Sequence, residues 1–111
     1  MIRRPKTKAE LEGILRGKSA VLEIGIPHCS MCSSAEKVLD KISVDFPEIA
    51  FVQVSAAAKE FEIFVETRGI RAVPVLLFLC DGVELAREGG GASEKIIRQK
   101  IKTYLCQRRE K

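Results

Sequence analysis

The segment Pro27-His28-Cys29-Ser30-Met31-Cys32 decides the fold, because it separates an apolar run from an amphipathic one. The run before it, Ala20–Ile26, is apolar and partly β-branched, which is typical of a strand buried on both faces. After it, apolar residues recur at helical spacing and predict a helix that reaches about Asp45: Ala35, Val38, Leu39 and Ile42. The cysteine pair is therefore expected where a buried strand ends and a helix begins.

That position favours thiol chemistry. The unpaired backbone N–H groups and the dipole at a helix start stabilise an anion, so Cys29 is expected to be an activated thiolate and Cys32 the resolving thiol. His28 adds positive charge when protonated. Half of a zinc site and an incidental buried pair are the alternatives, but zinc requires four ligands and His28 is the only histidine.

The rest of the chain alternates helices and strands, and it shows no repeat or linker, so residues 1–111 are read as one α/β domain. Strands are predicted at Phe51–Ser55, Val75–Leu79 and Val83–Arg87, and helices at Lys8–Leu15, Ala57–Thr67 and after Ser93. The inward residues expected on the last two helices are Phe61, Phe64, Val65, Ile97, Ile101, Tyr104 and Leu105. Helical crossovers predict parallel strands and the Asp81-Gly82 turn an antiparallel pair, hence a mixed sheet flanked by helices.

Composition narrows the functional classes. The net charge is +4, but aromatic residues are only 5% of the chain, which disfavours a nucleic-acid surface built on base stacking. No apolar run approaches the roughly 18 residues that span a bilayer, so no membrane association is expected. The basic start at Met1 is followed by polar residues rather than an apolar leader segment, and a cytoplasmic location is the expectation.

Several motifs together resemble the thioredoxin family: the C-x-x-C after a buried strand, Gly69-Ile70-Arg71-Ala72-Val73-Pro74, Asp81-Gly82, and Gly89-Gly90-Gly91. The resemblance spans about residues 20–105 and implies the thioredoxin fold, a three-layer sandwich. It implies that Pro74 is a cis-proline facing the cysteines, that the main chain of Val73 binds a substrate strand, and that Gly90 closes the groove. It also implies that Glu23 lies buried beneath Cys32 and moves its proton, whereas the alternative places Glu23 at a strand edge in solvent.

The sequence departs from this family at the active-site segment. His28 stands where the family usually has tryptophan, and Ser30-Met31 replaces Gly-Pro, so these three residues are expected to alter both the thiolate environment and the substrate-docking surface. The first family strand is weak or missing in residues 1–6, which leaves a sheet of four or five strands.

The leading hypothesis is a monomeric protein-disulfide reductase without metal or cofactor. Its partners are protein disulfides and a thioredoxin-reductase-type electron donor. A disulfide oxidase or isomerase of the same fold is one alternative, and a non-catalytic module that binds a partner protein or a metal is another. Cys80 and Cys106 are expected to be ordinary apolar-like thiols.

Overall fold

The computed structural model describes residues 1–105, and its central feature is a five-stranded mixed sheet. The strands are β1 (Ile2–Arg3), β2 (Ser19–Gly25), β3 (Ala50–Ser55), β4 (Val75–Cys80) and β5 (Val83–Gly89). The helices are α1 (Lys8–Leu15), α2 (Ser30–Ser43), α3 (Glu62–Thr67) and α4 (Glu94–Lys100). A 3₁₀ turn (Lys59–Phe61) precedes α3, and a π-helical segment (Ile101–Leu105) continues α4.

The strand order β1-β3-β2-β4-β5 places β2 at the centre of the sheet. β2 runs parallel to β3 through the crossover helix α2, and antiparallel to β4. The Asp81-Gly82 turn joins β4 to β5 as an antiparallel pair, and both turn residues have positive φ, 51° and 79°. The expected α/β fold with a mixed sheet is confirmed.

Apolar side chains cover both faces of the sheet. On one face, residues of β2, β3 and β4 pack against Leu11 and Leu15 of α1 and Phe61. On the other face, Val21 and Phe78 of the sheet pack against α2 and the last helix. Because β2 is covered on both sides, it reads as a continuous apolar run rather than an alternating one.

β1 is present but short, in keeping with the expectation that the first strand is weak or missing and that the sheet has four or five strands. It is only two residues long, and it pairs in parallel with β3, Ile2 opposite Phe51. The N-terminal ammonium of Met1 donates to Ser43 Oγ at 2.5 Å, which ties this short strand to the end of α2.

The predicted helix at Ala57–Thr67 is shorter than expected. Ser55 starts a turn instead, since its Oγ accepts a hydrogen bond from the Ala57 N–H at 3.1 Å, and the chain then passes through the 3₁₀ turn. Of the three side chains expected to point inward, Phe61 is buried, whereas Phe64 and Val65 are partly buried at the edge of the core.

Tyr104 was predicted on the inner face of the last helix and this is wrong. Ile97, Ile101 and Leu105 are buried as expected, but Tyr104 is 37% exposed. The π-helical segment has a wider repeat than an α-helix, so this side chain rotates away from the core. Lys100 Nζ lies 5.7 Å from its ring centroid. None of the helices within residues 1–105 is long and apolar enough to cross a membrane.

Candidate active site

The two cysteines lie at the start of α2, directly after β2, and form a disulfide with their Cα atoms 5.2 Å apart. Cys29 is the N-cap of α2, and its Sγ accepts a hydrogen bond from the Cys32 N–H at 3.1 Å. Cys29 is half-buried, whereas Cys32 is only 2% exposed. This asymmetry suits an accessible attacking sulfur and a shielded resolving sulfur.

The residues that depart from the family pattern form the exposed rim of this site. His28 has a positive φ of 59°, which turns the chain sharply from β2 into the cap of α2. His28 and Ser30 are exposed, and the Met31 side chain is 55% exposed. All three are therefore accessible to a docking partner.

Strand register places the Pro74 loop at the same end of the sheet as the cysteine pair. Val75, the first residue of β4, pairs with Ile24 near the end of β2 and with Gly89 at the end of β5. Residues 73–74 and Gly90 thus meet next to the segment that leads into Cys29. The Val73–Pro74 peptide bond is cis, as the resemblance implies; Pro74 is buried and Val73 half-buried.

Gly90 packs directly on Pro74. A Cβ added at Gly90 would overlap the proline ring and would lie 2.7 Å from the Pro74 carbonyl oxygen. The position therefore requires glycine for a close approach, which distinguishes it from Gly89 and Gly91, where a Cβ would meet nothing within 4 Å.

Glu23 lies fully buried in β2, on the sheet face covered by α2, so the solvent-exposed alternative is wrong. A Cβ built on Gly25 would lie 3.0 Å from both Glu23 Oε2 and Cys32 Sγ, so the carboxyl and the sulfur are neighbours at that glycine. Burial is the main reason why the pKa of Glu23 is raised from 4.5 to about 8, and the nearby Glu36 carboxyl raises it further while Arg4 opposes the shift.

Three polar residues near Glu23 were missed by the sequence analysis. Arg4 Nη2 lies 2.8 Å from Glu36 Oε1, and Arg4 Nη1 donates to Gln53 Oε1 at 3.0 Å. Gln53 is the β3 residue paired with Glu23 across the ladder. Glu36 follows Cys32 by one helical turn, a spacing that could have identified it, but no sequence signal places Arg4.

An open cavity of about 570 Å³ lies between the cysteine pair and this polar group. Its walls include Cys29, Cys32, Glu36, Gln53 and Ser55. A cavity of this size and polarity admits water, so Glu36 connects the neighbourhood of Glu23 to solvent.

The other predicted thiols lie away from the site or outside the described residues. Cys80 ends β4 opposite Ser19, at the far end of the strand from Val75. Cys106 falls outside the described residues. Between residues 1 and 105, no group of three or more His, Cys, Asp or Glu side chains is arranged to hold a metal ion.

Comparison with known proteins shows similarity to thioredoxins. Thioredoxin H5 of Oryza sativa subsp. japonica is 29% identical over 80 residues, which are 72% of this chain and 58% of the rice protein. Thioredoxin-3 of Dictyostelium discoideum is 28% identical over 96 residues, covering 86% of this chain and 89% of that protein. The chain thus spans less than two thirds of the rice protein but most of the Dictyostelium one. No protein-family model matches the sequence.

Solved thioredoxin structures share the fold. A thioredoxin mutant from Halobacterium salinarum superposes with a TM-score of 0.81 at 18% identity, covering 93% of this chain and 89% of that one. Fasciola hepatica thioredoxin superposes with a TM-score of 0.78 at 24% identity, covering 92% of this chain and 98% of that one. The relatives, the fold and the Cys29–Cys32 disulfide at the start of α2 together make the chain similar to thioredoxins, and they support a thiol–disulfide oxidoreductase function for the cysteine pair.

Proposed function

We propose that the chain reduces protein disulfides by cycling Cys29 and Cys32 between dithiol and disulfide. The observation that carries this proposal is the disulfide at the start of α2, which joins a half-buried Cys29 to a Cys32 that is 2% exposed. The thioredoxin relatives support the direction of the reaction.

The cycle begins with attack of the Cys29 thiolate on a substrate disulfide. A bond forms between Cys29 Sγ and one substrate sulfur, and the other substrate sulfur leaves as a thiolate that takes a proton from solvent. The N-terminus of α2 favours this thiolate, because the Cys32 N–H points at Cys29 Sγ. The product of this step is a mixed disulfide on Cys29.

Cys32 then resolves the mixed disulfide. The thiol of Cys32 gives its proton to the Glu23 carboxylate, and its sulfur attacks Cys29 Sγ and expels the second substrate thiolate. The two electrons that reduce the substrate come from the dithiol, which becomes the Cys29–Cys32 disulfide. Because the pKa of Glu23 is about 8, the carboxylate form that accepts the proton becomes more abundant as pH rises through that value.

The substrate groove is proposed to lie between the exposed rim of His28, Ser30 and Met31 and the loop of Val73 and Pro74. In this proposal the main chain of Val73 pairs with an extended substrate segment, which would make recognition tolerant of substrate sequence. The close packing of Gly90 on Pro74 supports it, because that contact holds the loop against β5.

Regeneration requires a supply of electrons, and we propose a thioredoxin-reductase-type donor acting on a monomer in a reducing compartment such as the cytoplasm. Support comes from the chemistry of the cycle, since each turnover leaves a disulfide that a dithiol or an enzyme must reduce. Regeneration by a purified thioredoxin reductase tests the electron donor. Sedimentation tests the monomeric state, and cell fractionation tests the compartment.

The reductase proposal is tested by the rate at which the protein, with dithiothreitol as electron source, reduces the disulfides of insulin. We expect Cys29→Ser to abolish the catalysed rate, because it removes the nucleophile. Without dithiothreitol, reduced Cys32→Ser mixed with insulin should accumulate mixed disulfides that mass spectrometry detects on Cys29, because no second thiol of the pair resolves them. Cys80→Ser, at the far end of β4, is the matched control and should retain the wild-type rate.

The reduction potential of the Cys29–Cys32 pair distinguishes a reductase from a disulfide oxidase or isomerase. Equilibration in thiol–disulfide buffers should give a midpoint near the roughly −270 mV of reducing thioredoxins. A midpoint in the range of about −180 to −120 mV would assign the chain to disulfide formation or isomerisation instead. Full activity of Cys29→Ser, or a pair that never closes, would reject the oxidoreductase cycle.

A further inference from the structure

Neither carboxyl oxygen of Glu23 has a hydrogen-bond partner among residues 1–105, although the side chain is fully buried. An orphaned buried polar atom is costly. A proton on Glu23 would supply a donor toward the nearby Glu36 carboxylate and relieve that cost.

The surroundings of Glu23 contain few other groups that could satisfy it. Leu76, its partner on β4, is apolar, and Gln53, its partner on β3, is occupied by Arg4 and by the Val54 carbonyl, to which its Nε2 donates at 3.1 Å. α2 contributes Cys32 and Glu36, and the segment after β1 contributes Arg4. Glu36 and Arg4 are therefore the charged groups that act on Glu23.

Arg4 fixes the position of Glu36. Its guanidinium binds Glu36 Oε1 at 2.8 Å and Gln53 Oε1 at 3.0 Å, so it links α2 to β3 beside Glu23. The Glu36 side chain is 23% exposed and lines the cavity next to the cysteines, so it is not sealed from water as Glu23 is.

We propose that Glu36 is a positioning residue of the resolving step: held by Arg4, its carboxyl shares a proton with Glu23 and sets the pH range in which Glu23 can accept the proton of Cys32. Removal of the Glu36 charge favours ionisation of Glu23, and removal of the Arg4 charge disfavours it. This inference rests on the proposed dithiol cycle, because only that cycle uses the proton of Cys32.

The first experiment follows the side-chain carboxyl carbon of Glu23 by NMR across a pH titration of the oxidised protein. We expect Glu36→Gln to lower the titration midpoint by about one pH unit and Arg4→Gln to raise it by a similar amount. The matched controls are Asp40→Asn, one turn farther along α2, and Arg3→Gln, the residue before Arg4; both should leave the midpoint unchanged. Arg4→Lys keeps the positive charge, so its titration midpoint should lie close to that of the wild-type protein.

The second experiment measures the resolving step directly. Reduced protein is mixed with dithiobisnitrobenzoate, whose first thiolate is released by Cys29 and whose second is released when Cys32 resolves the mixed disulfide. The pH at which the second release reaches half its maximal rate should move down in Glu36→Gln and up in Arg4→Gln, in step with the NMR midpoints. Two variants that shift in opposite directions exclude a common loss of folding as the cause.

Failure of the inference and failure of the proposed function give different results. If the titration midpoint of Glu23 is unchanged in both Glu36→Gln and Arg4→Gln, Glu36 does not share a proton with Glu23, even if the protein is a fully active reductase. Shifted NMR midpoints with an unmoved resolving profile would overturn the role of Glu36 in that step. Retained activity of Cys29→Ser would reject the reductase cycle, and with it the role of Glu36 in resolution, while the titration of Glu23 still reports on the carboxyl pair.

Discussion

At the scale of single residues, the contact between Gly90 and Pro74 determines the shape of the proposed groove. We expect Gly90→Ala to reduce kcat/KM for protein disulfides by between about tenfold and a hundredfold, because displacement of the loop by ~1 Å misplaces the substrate. Overpacking should also lower the free energy of unfolding by about 1–3 kcal/mol. Insulin reduction and denaturant unfolding measure the two effects.

The neighbouring glycine provides the control for this substitution. A Cβ at Gly91 meets nothing within 4 Å, so Gly91→Ala should preserve both activity and stability. Equal losses in the two variants would contradict the assigned contact, since they would then reflect backbone freedom along the whole turn rather than packing on Pro74.

A site residue can be predicted from the sequence when the pattern that identifies it lies within a short stretch of chain. Cys29 and Cys32 are identifiable because their spacing and their place at a helix start carry the chemistry within six residues. Glu23 is recognisable as the only charge in an apolar strand, but its burial became clear only in the folded sheet. Arg4 could not be predicted, because it reaches Glu36 and Gln53 across 32 and 49 positions of sequence.

At the scale of elements, the capped N-terminus of α1 is a local device that the sequence encodes directly. Thr7 Oγ1 accepts from the Glu10 N–H at 3.1 Å, and Glu10 Oε1 accepts from the Lys6 N–H at 2.6 Å. Thr7→Ala removes the first of these bonds and should lower the free energy of unfolding by about 1 kcal/mol, with no change in insulin reduction.

Thr103→Ala serves as the matched control for this cap, because Thr103 is exposed within the last helical segment rather than at a helix start. Chemical denaturation compares the three proteins. A loss of stability in Thr103→Ala as large as that in Thr7→Ala would contradict a specific role of the cap.

Prediction of the elements succeeded where periodicity and end signals agree, and failed where tertiary contacts dominate. α2 has a regular inner stripe directly after the cysteine pair, and it begins beside Cys29 as that pattern predicts. The segment before α3 has three successive alanines and no cap, so the Ser55 turn and the burial of Phe61 determine its path. β1 is too short for any pattern and exists because the edge of β3 pairs with it.

At the scale of the whole molecule, burial of Glu23 couples the stability of the fold to pH. Its pKa is about 8 in the folded protein, whereas an unfolded chain exposes it with an ordinary value of 4.5. Between these values the folded state binds one more proton than the unfolded state, so stability falls as pH rises. The contribution is fully present below pH 4.5 and is lost as pH approaches 8.

The size of this effect follows from the shift, since each unit of pKa corresponds to about 1.4 kcal/mol. The oxidised protein should therefore lose about 3 kcal/mol of unfolding free energy between pH 4.5 and pH 7 through this residue alone. Glu23→Gln cannot ionise, so the stability of the variant relative to the wild type should increase with pH over that interval. Glu62→Gln, at an exposed position of α3, is the control and should parallel the wild type.

Denaturant unfolding of the oxidised proteins at several pH values tests whether Glu23 has a raised pKa in the fold. The oxidised forms are compared because the closed disulfide constrains the unfolded state equally in all of them. A difference between Glu23→Gln and the wild type that stays constant from pH 4.5 to pH 8 would mean that Glu23 titrates normally in the fold. A difference in unfolding free energy that grows with pH would show that burial favours the protonated form of Glu23. This is the carboxyl proposed to accept the proton of Cys32. The fold would then carry, at neutral pH, the energetic cost of a buried acid next to its resolving thiol.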